Sequence, residues 1–142
     1  MDLWKYYDGD LKYINLSSYI YSNEALNDKE SRKEILKTRP EWAYKQAEAL
    51  HDKFPEGEPA IATNAKSSYW YAYSVLHGPF LLGEKAIAND IEYSFCYALN
   101  IIKRKFELGE PAIAEDKLYS RLYTRFILKR DFYLNNKLIC EL

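Results

Sequence analysis

FPEGEPAIA at 54–62, FLLGEKAIA at 80–88 and FELGEPAIA at 106–114 are three versions of one phrase, each set 26 residues after the last. A fourth, degraded version, FYLNNKLIC at 132–140, keeps the spacing. Phe54, Phe80, Phe106 and Phe132 therefore share one lattice position, as do Ile61, Ile87, Ile113 and Ile139, with Ile35 on the same lattice. A fixed period of this size marks a repeat architecture in which each unit is one supersecondary element. The units run 37–62, 63–88, 89–114 and 115–140, and 1–36 form a divergent N-terminal cap.

Within a unit, stretches such as IEYSFCYALNIIKRKF lack Gly and Pro and place apolar residues three and four apart, which predicts a long amphipathic helix. Gly57, Gly83 and Gly109 follow where a left-handed C-terminal cap is wanted, and Pro59 and Pro111 suit the first turn of a second helix of about two turns. Asn64, Asp90 and Asp116 then stand where a side-chain oxygen caps the next long helix. The fold class expected is all-α: a short α-solenoid of about four helix-pair repeats, of either hand, with unlike N-terminal and C-terminal caps.

The terminal unit has no successor and must present a polar outer surface. Tyr69 with Tyr73, and Phe95 with Leu99, become Arg121 and Arg125 in the last unit, so that stripe is expected to face the following unit. Tyr93, Tyr97 and Ile101 stay apolar as Tyr119, Tyr123 and Ile127 and are expected to face the preceding one. The first unit fits with a one-residue gap: Ala43, Tyr44 and Ala47 match Ser68, Tyr69 and Ala72. In the aromatic-rich first 36 residues, Asn27 and Glu30 have capping-box spacing, and Asp8, Gly9 and Asp10 read as a turn within a hairpin or a broken helix.

Composition bounds the function. With 142 residues, Lys+Arg 20 against Asp+Glu 21, and 48% apolar residues, the chain is a single folded unit without the one-sided field of a generic polyanion binder or a DNA mimic. The opening MDLWKYYDGD lacks a secretory signal pattern and no run is apolar enough to span a bilayer, so no membrane partner and a cytoplasmic location are expected. Cys96 and Cys140 stand alone and read as buried, reduced thiols.

The repeat wording, GEPAIA followed by an acidic cap and a YxYA helix (Tyr69, Tyr71 and Ala72), resembles that of small uncharacterised bacteriophage and prophage proteins over about 37–140. This resemblance implies a phage-encoded helical protein in the bacterial host cytoplasm, of a class that binds host or defence proteins. It carries no catalytic residues with it.

His51 and His77 lie one unit apart, like two ligands of a metal site, but their lattice equivalents are Lys103 and Lys129, which makes them a cationic row at helix ends, where the dipole favours positive charge. Glu58, Glu84 and Glu110 form a carboxylate row read as satisfying helix N-termini. No phosphate-loop, nucleophile-elbow or zincin motif occurs, so no enzyme, cofactor or metal is expected. Arg121, Arg125 and Lys129 form a basic stripe at i, i+4, i+8, within a stretch holding nine basic and five acidic residues between Leu99 and Lys137. Trp70 and Tyr71 lie off the forward stripe and are expected to expose rings for a partner. The function expected is a non-enzymatic interaction module that binds and inhibits a host or anti-phage defence protein. Nucleic-acid or nucleotide binding through the basic third is the alternative, and a structural homo-oligomer the third reading.

Overall fold

The computed structural model describes residues 39–142. Expectations for 1–36 and for the start of the first unit lie outside them. The described chain is mostly helical and closes with a small hairpin.

Helix α1 spans Pro40–Leu50, and the short α2 spans Glu58–Ile61 after a tight 3-10 turn at Pro55–Gly57. The next two units repeat this order: α3 (Ala65–Trp70), a 3-10 turn at Leu81–Gly83 and α4 (Glu84–Ala88); then α5 (Ile91–Cys96), a turn at Glu107–Gly109 and α6 (Glu110–Ala114). Helix α7 (Lys117–Tyr123) opens the last unit. Each long helix packs on the next, and each short helix packs on the turn or strand of the following unit. The second helix is only one turn, shorter than its expected two, because the 3-10 turn takes its first residues. Pro59 and Pro111 do sit in its first turn. Asn64, Asp90 and Asp116 cap the long helices by accepting from the N–H of Ser67, Tyr93 and Tyr119 at 2.8, 2.9 and 2.9 Å.

The one-residue gap in the first unit has a structural cause. Helices α3, α5 and α7 widen into π-helical turns at Tyr71–Leu76, Tyr97–Ile102 and Thr124–Leu128, whereas α1 stays α-helical to its end. A π turn absorbs one extra residue without moving the helix ends. All four long helices stop at a left-handed residue: His51, His77, Lys103 and Lys129, with φ of 52 to 54°. The histidine and lysine row therefore holds the capping backbone position that the glycines were expected to hold.

Gly57, Gly83 and Gly109 are instead right-handed, with φ near −90°, and are needed for space. A Cβ on Gly83 would lie 2.5 Å from both Phe80 Cδ1 and Ser68 Oγ, and one on Gly109 would lie 2.7 Å from Ser94 Oγ. The turn presses against the long helix of its own unit so closely that only a hydrogen fits.

The fourth copy of the phrase is a correction to the all-α expectation. Residues Phe132–Leu134 (β1) and Lys137–Cys140 (β2) form an antiparallel hairpin, with Leu134 opposite Lys137. Asn135 and Asn136 both take positive φ, 50° and 63°, as a two-residue hairpin turn demands. Strand pairing lets the backbone of this copy bond itself. The lattice survives: Phe132 is fully buried and Ile139 packs against the core.

Gly83→Ala should cost about 1–3 kcal/mol of stability through overpacking. Gly78→Ala, whose nearest neighbour to an added Cβ is Leu76 O at 3.9 Å, should be neutral or slightly stabilising. Urea denaturation of both variants checks this; equal effects would remove the packing explanation.

Candidate interaction surface

Most of the repeated polar residues are engaged inside the stack. Phe54, Phe80 and Phe106 follow the helix ends, where their N–H groups have no helical partner. Each donates to a tyrosine hydroxyl 17 residues further on: Tyr71 at 3.0 Å, Tyr97 at 3.1 Å and Tyr123 at 2.9 Å. Those hydroxyls in turn donate to Glu58, Glu84 and Glu110 at 2.7, 2.9 and 3.0 Å. The carboxylate row thus accepts hydrogen bonds from tyrosine hydroxyls across the unit boundary, where capping of its own short helix was expected. Each tyrosine ring also meets the phenylalanine of its own unit, with centroids 5.0, 5.0 and 5.3 Å apart for Tyr71 with Phe80, Tyr97 with Phe106 and Tyr123 with Phe132. Ser68, Ser94 and Ser120 donate to the carbonyls that end the preceding short helices, Ile61, Ile87 and Ile113, each at 2.9 Å.

Burial holds all three phenols in the neutral form. It pushes Tyr71 up to about 12 from 10.0, with the Glu58 carboxylate adding to the shift and the Phe54 N–H opposing it. Tyr97 and Tyr123 are raised further for the same first cause.

Between units, the forward stripe meets the following unit through Tyr69 and Phe95, while Tyr73 and Leu99, expected to face it as well, are exposed. The Tyr69 ring lies 5.4 Å from Tyr93, and Phe95 lies 5.7 Å from Tyr119. Tyr69 also accepts from Asn100 Nδ2 at 3.0 Å.

Of the residues expected to meet a partner, Tyr71 does not reach the surface: it is fully buried in the ladder just described. Its lattice equivalents Tyr97 and Tyr123 belong to the stripe facing the preceding unit, which is the signal that could have placed it. Trp70 is 37% exposed, and Tyr73, beside it at 5.6 Å and edge-on, is 48% exposed. Trp70 also packs edge-on against the buried Tyr69 ring, with centroids 5.2 Å apart. Leu99, one unit after Tyr73, continues this apolar band. On α7 and its π turn, Arg121, Arg125 and the capping Lys129 are exposed. Leu118 and Phe126 are exposed beside them, and sequence reading passed over both. Leu99 of the first face and Arg125 of the second occupy equivalent positions in successive units.

His51 and His77 terminate their helices, and among the described residues no group of three or more His, Cys, Asp or Glu is placed to hold a metal. Cys96 and Cys140 are free and half-buried, less enclosed than expected; burial raises the Cys96 thiol. No described helix is long and apolar enough to cross a membrane. Comparisons with family models, curated proteins and solved structures give no match.

Tyr97→Phe strands the buried Phe80 N–H and should cost about 1–3 kcal/mol, whereas Tyr133→Phe at an exposed ring should stay within about 0.5 kcal/mol; chemical denaturation distinguishes the two. The raised phenols titrate first in the unfolded chain. Stability should therefore hold below pH 10 and fall as pH rises through about 12, the value for Tyr71. Denaturation midpoints that stay flat over that range would argue against buried, hydrogen-bonded phenols.

Proposed function

We propose that the chain is a short α-solenoid acting as a non-enzymatic protein-interaction module, encoded by a phage and working in the host cytoplasm, where it binds and inhibits a host or anti-phage defence protein. The observation that carries this reading is the exposed band of Trp70, Tyr73 and Leu99 in a fold whose other repeated aromatics are drawn inward. Large rings held rigidly at a surface, rimmed by charge, are the residues that anchor protein interfaces. The phage origin and the inhibitory role draw on the resemblance of the GEPAIA and YxYA repeats to bacteriophage and prophage proteins.

The exposed Arg121, Arg125 and Lys129 favour a second reading, nucleic-acid binding by the basic end. Phosphate contacts of that kind weaken steeply with salt, while an apolar protein contact does not.

Affinity capture from bacterial lysate, repeated with Tyr73→Ser and with Leu81→Ser on the turn before α4, tests the first reading. A stable protein partner should be retained with Leu81→Ser and weakened at least about tenfold with Tyr73→Ser, the scale of an interface anchor. Recovery of salt-labile nucleic acid with no protein partner would reverse the order of the two readings.

A further inference from the structure

The outward side of the last long helix inverts the pattern of its predecessors. The position that Tyr69 and Phe95 bury against the next unit carries Arg121, and that of Tyr73 and Leu99 carries Arg125. An end that only had to be soluble would keep its other exposed positions polar. In the preceding units the equivalent residues are exposed Lys66 and half-buried Ser74, then exposed Glu92 and Asn100, the last donating back to Tyr69. Here they are Leu118 and Phe126, 62% and 51% exposed. With half-buried Leu122 between them they form an apolar stripe at i, i+4, i+8, and Arg121, Arg125 and Lys129 form a basic stripe alongside. The Arg125 guanidinium carbon lies 5.9 Å from the Phe126 ring centroid. Among the described residues, no carboxylate pairs with any of the three cations.

We propose that this end of the stack receives an acidic amphipathic helix of another protein, which lies against α7 as a fifth long helix would. The proposal rests on the interaction-module reading and names the chemistry of the partner. Two features select this occupant. Arg121 stands at the position by which Tyr69 of α3 meets Tyr93 of α5 and Phe95 of α5 meets Tyr119 of α7, so a helix laid alongside repeats a contact already present in the fold. The two stripes call for the complementary pair on the incoming helix: apolar residues over Leu118, Leu122 and Phe126, and carboxylates at helical spacing that reach the guanidinium forks. A second copy docked through the same face would set arginine against arginine, which is repulsive. A phosphate backbone would neutralise the cations but leave Leu118 and Phe126 in water.

The test uses the full chain and two designed helical peptides with leucines on one side and either glutamates or lysines on the other, read by fluorescence anisotropy at about 0.15 M salt. The glutamate peptide should bind at least about tenfold more tightly than the lysine peptide. The double variant Arg121→Glu with Arg125→Glu should reverse that preference, and Leu118→Ser with Phe126→Ser should weaken the glutamate peptide. Circular dichroism establishes that the variants, changed only at exposed positions, remain folded. Absence of binding by the glutamate peptide, binding indifferent to the arginine changes, tighter binding of a mixed-sequence RNA or DNA oligonucleotide, or self-association removed by Leu118→Ser would each overturn the proposal. Because Trp70 and Tyr73 are untouched, a lysate partner lost with Tyr73→Ser but indifferent to the arginine changes would leave the module reading standing while the acidic-helix assignment falls. Peptide binding that reverses with charge, in a chain capturing nothing through Tyr73, would do the opposite.

Discussion

A backbone N–H enclosed by apolar rings must find an acceptor, and in this chain it finds one only in the next repeat. The helix ends at a left-handed residue, the chain turns, and the phenylalanine that follows seats its ring in the core with its amide facing inward. Leaving such a group unbonded would cost on the order of 1–3 kcal/mol each time. The tyrosine 17 residues ahead supplies the acceptor, and its hydroxyl in turn donates to a glutamate of the earlier unit. A unit is therefore incomplete until its successor is in place. The serine bond to the short-helix carbonyl repeats the dependence from the other side. The hairpin at 132–140 meets the same requirement in another way: its backbone pairs with itself.

Much of this was legible in the sequence. The period placed Phe132 and Ile139 in the core although the helix expected around them is absent, because ring burial is set by position in the lattice and the local backbone need only deliver the side chain. The N-caps were legible because Asn64, Asp90 and Asp116 act within a single turn. The direction of the stack could be inferred because Arg121 takes the position at which Tyr69 and Phe95 are buried against the following unit. What escaped notice depends on contacts between segments. Glycine suggested a left-handed cap, its commonest use, whereas here it admits Phe80 and Ser68 at close range and His77 takes the strained backbone. The tyrosine and glutamate partnership joins residues 13 apart across a unit boundary, a spacing with no helical or strand meaning. The one-residue gap in the first unit was visible, but a sequence does not say whether an extra residue becomes a loop or a π turn. Tyr71 was assigned to the surface by its neighbours in SSYWYAY, though its lattice partners Tyr97 and Tyr123 pointed inward.

A repeat uses its recurring residues to hold itself together, so its specificity lies where the recurrence breaks. Trp70 and Tyr73 differ from Cys96 and Leu99 at the same positions, and Leu118, Arg121, Arg125 and Phe126 differ from everything before them. These departures gather on the exposed sides of the long helices and at the open end, while the ladder behind them stays uniform. A rigid internal frame of this kind lets a few surface changes define a partner without disturbing the fold.

Native-state hydrogen exchange at the Phe80 and Phe106 amides tests the ladder most directly. Both lie outside any helix or strand, where an amide facing solvent would exchange within seconds to minutes. Bonded to Tyr97 and Tyr123, they should exchange only through opening of the neighbouring unit, with protection close to that of the helix cores. Exchange at the rate of an unstructured turn would mean that the units do not close on one another in this way.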